Sequence, residues 1–105
     1  MNKPYEIHQL DWHGIRIEVR YCPSWSKAYE AVYGEGMAHL AIETLDPPRS
    51  PLPMTETGYR SHFTPAKFID DEGGPVAFVQ GWLDEAAQLP KWKEQEAASR
   101  QMTLL

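Results

Sequence analysis

Hydroxyls, rings and charged donors are densest in Thr55-Glu56-Thr57-Gly58-Tyr59-Arg60-Ser61-His62-Phe63. Read as a strand over 58–64, this stretch turns Tyr59 and Phe63 one way and Arg60 and His62 the other. Strand pairing is then expected to set Arg60 and His62 on one open sheet face with Arg16, Glu18, Arg20, His39 and Glu43. That mixed surface suits a small anion or the carboxylates of a partner. The same residues equally make a solvated sheet face held by cross-strand ion pairs. A ligand-binding or catalytic domain built on His39, Arg60 and His62 requires a concave pocket where they meet.

Other chemistries find little support. His39 and Glu43, four residues apart on a strand, are about 13 Å from one another, too far to share a metal ion. His8 and His13 have no metalloprotease spacing, and Cys22 has no second cysteine for a zinc knuckle. Ser50 and Ser61 lack a nucleophile elbow, and Gly34, Gly36, Gly73 and Gly74 do not spell a phosphate loop. The acids Asp70, Asp71, Glu72, Asp84 and Glu85 read as a solvated charge run before a catalytic pair. The sequence thus nominates no catalytic residue, no metal ligand and no cofactor. Pro48-Arg49-Ser50-Pro51 has the spacing of a proline-helix ligand but reads more simply as a rigid loop.

The clearest functional signal is terminal. Gln101-Met102-Thr103-Leu104-Leu105 follows a very polar stretch with a glutamine, an aliphatic, a small polar and two apolar residues. The pentapeptide resembles the short peptides that dock bacterial replication and repair proteins, such as the mismatch-repair protein MutS, on the DNA polymerase sliding clamp. The resemblance implies a polar role for Gln101, a first apolar contact for Met102, and a deep pocket for Leu104 with Leu105. Methionine suits such a site because its unbranched thioether repacks at little cost. Many of these peptides carry phenylalanine where this chain has Leu105, which implies weaker binding. The plainer reading has Met102, Leu104 and Leu105 strapped onto the domain's own core or frayed.

Composition bounds the rest. A chain of 105 residues has room for one modest core, and its four Trp, five Tyr and three Phe supply the aromatic mass to fill it. A single cysteine and the lack of a signal-peptide pattern predict a reducing, cytoplasmic setting. No apolar run is long enough to span a membrane. Fifteen acidic residues against ten basic give a net charge of −5, which disfavours direct nucleic-acid binding because phosphate contacts use Lys or Arg.

The elements that position these residues follow from periodicity. Ile15, Ile17, Val19 and Tyr21 alternate with Arg16, Glu18, Arg20 and Cys22, a strand with one dry and one wet face. A two-residue turn at His13-Gly14 folds Tyr5 to Trp12 back so that Trp12 opposes Ile15, Leu10 opposes Ile17, His8 opposes Val19 and Asp11 opposes Arg16. Ser24 to Gly36 reads as a loop or short helix. Met37 to Leu45 is a third strand with Ala38, Leu40 and Ile42 inward. Asp46 to Pro53 is a stiff loop holding four prolines. Gly74-Pro75 opens a helix to Leu89 whose stripe of Val79, Trp82, Leu83, Ala86 and Leu89 covers the sheet, with Trp82 as its centrepiece. Pro90 ends it, and a polar helix from Lys91 to Arg100 follows, anchored by Trp92 alone.

The expectation is therefore an α+β domain over residues 1–100: a three- or four-stranded antiparallel sheet, one face covered by a helix, then a polar helix and an exposed, unstructured peptide at 101–105. The Thr55–Phe63 stretch, the hairpin turn after Trp12 and the Gly73-Gly74-Pro75 helix start also resemble, over most of the chain, a family of short uncharacterised proteins from proteobacterial plasmids and integrated mobile elements. That resemblance brings no known activity. Function is expected to be binding: a protein that docks on the sliding clamp through its C-terminus, or a small acidic inhibitor of a host nucleic-acid-binding or defence protein. Oligomeric state does not follow from the sequence.

Overall fold

In the computed structural model, which describes residues 5–103 and the side chains of residues 5–98, His13 and Gly14 have φ of 49° and 81°. These left-handed values make the tight two-residue turn whose twist matches its flanking strands. Glycine meets that demand freely and histidine at some cost. The turn joins β1 (Glu6–Trp12) to β2 (Ile15–Cys22). Trp12 faces Ile15, Leu10 faces Ile17, His8 faces Val19 and Asp11 faces Arg16, the register that the alternation predicts.

Two further strands, β3 (Met37–Asp46) and β4 (Tyr59–Pro65), complete a four-stranded antiparallel sheet in the order β1-β2-β3-β4. Between β2 and β3 lies α1 (Lys27–Tyr33), so the ambiguous segment is a short helix; the Ser26 hydroxyl accepts from the Tyr29 N–H to start it. The proline loop turns back on itself through reciprocal backbone hydrogen bonds between Leu52 and Thr55, and Leu52 is buried.

After β4 come α2 (Ala66–Asp71), α3 (Pro75–Ala86) and α4 (Pro90–Thr103). The fold is α+β, with helices packed on one face of the sheet. Helix α2 has no counterpart in the expected elements: six residues hold less than two turns of periodic signal. Its Ile69 is nevertheless fully buried.

Ile17, Val19, Leu40 and Ile42 from the sheet and Val79 and Leu83 from α3 form the centre of the core, all fully buried. Each such side chain contributes roughly 1.5–3 kcal/mol. The expected centrepiece, Trp82, is only half-buried, and Leu89 is 58% exposed beyond the helix end. Val79 and Leu83, with Val76 beside them, fill the core, and Trp82 on the neighbouring helix stripe meets His62 of the edge strand β4 instead.

Trp12 holds the far end of the core. Its indole N–H donates to the Asp84 carboxylate at 2.9 Å, and its ring lies 5.9 Å from that of Trp92 on α4. Helix α4 runs past the expected end at Arg100 and takes in the backbone of Gln101, Met102 and Thr103. The side chains of Gln101, Met102 and Thr103, and all of Leu104 and Leu105, lie outside the described residues. No helix among the described residues is long and apolar enough to cross a membrane.

Candidate functional site

Register decides which candidate side chains meet. Cys22 pairs with His39 and Arg20 with Ala41; across the next ladder His39 pairs with Phe63, Ala41 with Ser61 and Glu43 with Tyr59. Partners in an antiparallel ladder share a face. The open face therefore carries Arg16, Glu18, Arg20, Cys22, His39, Ala41, Glu43, Tyr59, Ser61 and Phe63. Arg60 pairs with Ile42 and His62 with Leu40, so both lie on the helix side. Of the seven residues expected on one polar face, Arg16, Glu18, Arg20, His39 and Glu43 share it and Arg60 and His62 do not. One pocket cannot be lined by His39, Arg60 and His62 together, which removes the catalytic arrangement built on them. The physical reason is the two-residue period of a strand, where a single step reverses every side chain.

The open face is also less receptive to anions than its composition suggests. The Arg20 guanidinium lies between Glu18 and Glu43, at 3.6 and 3.5 Å, and Arg16 lies 3.7 Å from Asp11. Its arginines are engaged by the protein's own carboxylates.

At the α1 end, the face becomes aromatic. Trp25 meets Phe63 edge-on at 5.0 Å, His39 lies 4.4 Å from Phe63, and Tyr5 meets His39 edge-on at 5.9 Å. Cys22 and Ala41 are buried beneath them. The His39 ring is hydrogen-bonded on both sides, Nδ1 with the Tyr5 hydroxyl at 2.7 Å and Nε2 with the Ser61 hydroxyl at 2.6 Å. Burial, then Arg20 and His62, hold the His39 imidazole below its ordinary pKa, so the ring is neutral near pH 7. Burial likewise holds the Tyr5 phenol above its ordinary pKa, followed by the nearby Cys22.

A serine on a neutral histidine invites comparison with a nucleophile and its base. Here the Tyr5 and Ser61 hydroxyls occupy both ring nitrogens, and which partner donates at each follows the histidine tautomer. The two contacts together fix the ring orientations of the cluster. Sequence reasoning nominated His39 but missed Tyr5, Trp25 and Phe63; the aromatic residues themselves were legible, their convergence on one histidine was not.

The clefts lie on the other side and at the periphery. One of about 480 Å³ sits between the proline loop, α3 and α4 and includes Met54, Arg60, Leu89 and Trp92. Another, of about 320 Å³, lies between His62, Glu72, Phe78, Gly81, Trp82 and Glu85. Burial, then Arg60, lowers the His62 pKa. Among the described residues no group of three or more His, Cys, Asp or Glu side chains is placed to hold a metal ion.

Fold and surface together define a small α+β domain with one helix-covered and one open, partly aromatic sheet face. A family model described as the KlcB third domain matches residues 5–92, and the chain belongs to that family. The match ends at Trp92, so the remainder of α4 and residues 101–105 fall outside it. Neither the curated proteins nor the solved structures contain a match to this chain.

Proposed function

We propose that this domain is a non-enzymatic binding module that takes hold of a protein partner with the open face of its sheet. The observation that carries the reading is exposed aromatic surface on a rigid frame: Phe63 is 48% exposed, Tyr59 45% and Trp25 36%, with Ile7 on the same face. Aromatic anchors fixed by their neighbours lose little entropy on binding and concentrate interface energy. Around them, the internally paired Arg20, Glu18, Glu43, Arg16 and Asp11 supply a polar rim. Val32 and Tyr33 on α1 are exposed as well.

A photo-crosslinking residue at Tyr59, introduced in the cells that make the protein, tests this. It is expected to trap a defined partner that the same residue at Gln88 does not trap, and the double variant W25A/F63A is expected to lose it. Equal trapping at both positions, or capture that survives W25A/F63A in a folded protein, refutes the reading.

Docking on a bacterial sliding clamp through Gln101, Met102, Thr103, Leu104 and Leu105 is a second reading, favoured by the design of α4. Trp92 at its start is its one large buried anchor among the described residues, and polar side chains follow. Because α4 includes the backbone of Gln101 to Thr103, these residues must leave the helix to bind in extended form, a modest cost at a helix terminus. Purified clamp is expected to bind the full chain and not a chain ending at Arg100, with little change in Tm; undiminished binding by the shortened chain excludes this route.

A further inference from the structure

Helix α3 has a glycine in its interior, Gly81, which packing does not explain. A Cβ built there meets no heavy atom within 4 Å. Interior glycine weakens a helix relative to alanine, so the sequence accepts a loss of stability with no close neighbour to require it.

What Gly81 provides is room. It lines the cleft of about 320 Å³ with Phe78, Trp82 and Glu85 of its own helix, His62 of β4 and Glu72 from the end of α2. Phe78, Gly81, Trp82 and Glu85 follow one helix face at the i, i+3, i+4, i+7 spacing, so the missing side chain opens the middle of that face. Three rings bound the space: His62 to Trp82 is 4.7 Å, His62 to Phe78 6.2 Å and Phe78 to Trp82 6.3 Å between centroids.

Charge selects the occupant. Among the described residues no cationic side chain lines this cleft, and the rim carries two carboxylates, Glu72 and Glu85, neither of them paired with a cation there. The Arg60 guanidinium lies 5.6 Å from the Trp82 ring and lines the neighbouring cleft, so this indole already serves one cation within the molecule. Neutral His62, its pKa lowered by burial and by Arg60, adds no repulsion near pH 7. Aromatic faces with nearby carboxylates attract an organic cation and offer a neutral amide nothing comparable.

We propose that the cleft formed by His62, Phe78, Gly81 and Trp82, with Glu72 and Glu85 at its rim, receives the basic side chain, lysine or arginine, of a partner protein. The site lies on the opposite side of the sheet from the aromatic open face, and it stands whether or not that face binds a partner.

The test uses Gly-Lys-Gly, Gly-Arg-Gly and Gly-Gln-Gly with blocked termini, and choline, followed by the indole N–H resonance of Trp82 in the ¹H–¹⁵N spectrum, assigned with Trp82→Phe. Saturable movement is expected with the lysine or arginine peptide and not with the glutamine peptide. Gly81→Leu puts a side chain into the cleft at a position where a Cβ meets nothing within 4 Å, and it is expected to weaken peptide binding by about tenfold or more while raising Tm by roughly 4 °C. Glu85→Gln is expected to weaken binding with the fold unchanged. Equal shifts from the neutral peptide, or full affinity in a folded Gly81→Leu protein, overturn the proposal. Binding of choline without either basic peptide overturns the assignment to a protein side chain.

Discussion

Trp92 offers the sharpest test of how the last helix is held. It is 9% exposed, it packs 5.9 Å from Trp12, and its buried indole N–H has no acceptor among the described residues. Burying a tryptophan removes about 150–250 Å² from water, which at about 25 cal/mol per Å² amounts to roughly 4–6 kcal/mol. A buried, unpartnered donor costs about 1–3 kcal/mol, leaving a net contribution near 3 kcal/mol. Trp92→Ala is therefore expected to lower stability by about 3 kcal/mol. Its effect should fall first on α4, since an isolated helix of 14 residues is marginal in water. Trp92→Phe keeps most of the apolar area and removes the orphaned donor, so it should change stability by less than about 1 kcal/mol. Urea unfolding followed by circular dichroism gives the free energies, and amide exchange shows whether α4 opens before the sheet. The reasoning fails if Trp92→Phe is as damaging as Trp92→Ala, or if α4 amides in Trp92→Ala stay as protected as those of β2 and β3.

Gly58, at φ 79°, directs a new Cβ into the Thr44 side chain and the Arg49 backbone, so Gly58→Ala is expected to cost about 3 kcal/mol or more by thermal unfolding. His39 and His62 both have lowered pKa values, chiefly from burial, so the unfolded chain binds protons that the folded one rejects. Their stabilising contribution is therefore present above the unfolded value near 6.5, is lost as pH falls below it, and levels off once the folded-state values are passed. Unfolding free energies of the wild type and of His39→Gln/His62→Gln from pH 7.5 to 5 should show the slope in that window reduced in the variant. Removing the Asp84 acceptor by Asp84→Ala leaves the buried Trp12 indole N–H unpaired and should cost about 1–2 kcal/mol, measured by urea unfolding.

Local sequence was sufficient where one signal repeated over many residues. Turn chemistry at His13-Gly14 and the alternation from Ile15 to Cys22 determine the hairpin and its register, because a one-residue slip would expose Ile17 and Val19. Pro75 after Gly74 likewise fixes where α3 begins. The faces of β4 were a tertiary decision. Its own pattern is weak, and its orientation is set by pairing with β3 across the loop whose Gly58 accepts the Thr44 N–H. That pairing turns His62 inward to Phe78 and Trp82 and leaves Phe63 on the open face beside Trp25 and His39. Both aromatic sites join residues distant along the chain, from Tyr5 to Phe63 on one side and from His62 to Glu85 on the other. Local periodicity states which way a residue leans within its own element, whereas the neighbour it meets depends on long-range packing of the whole sheet and its helices.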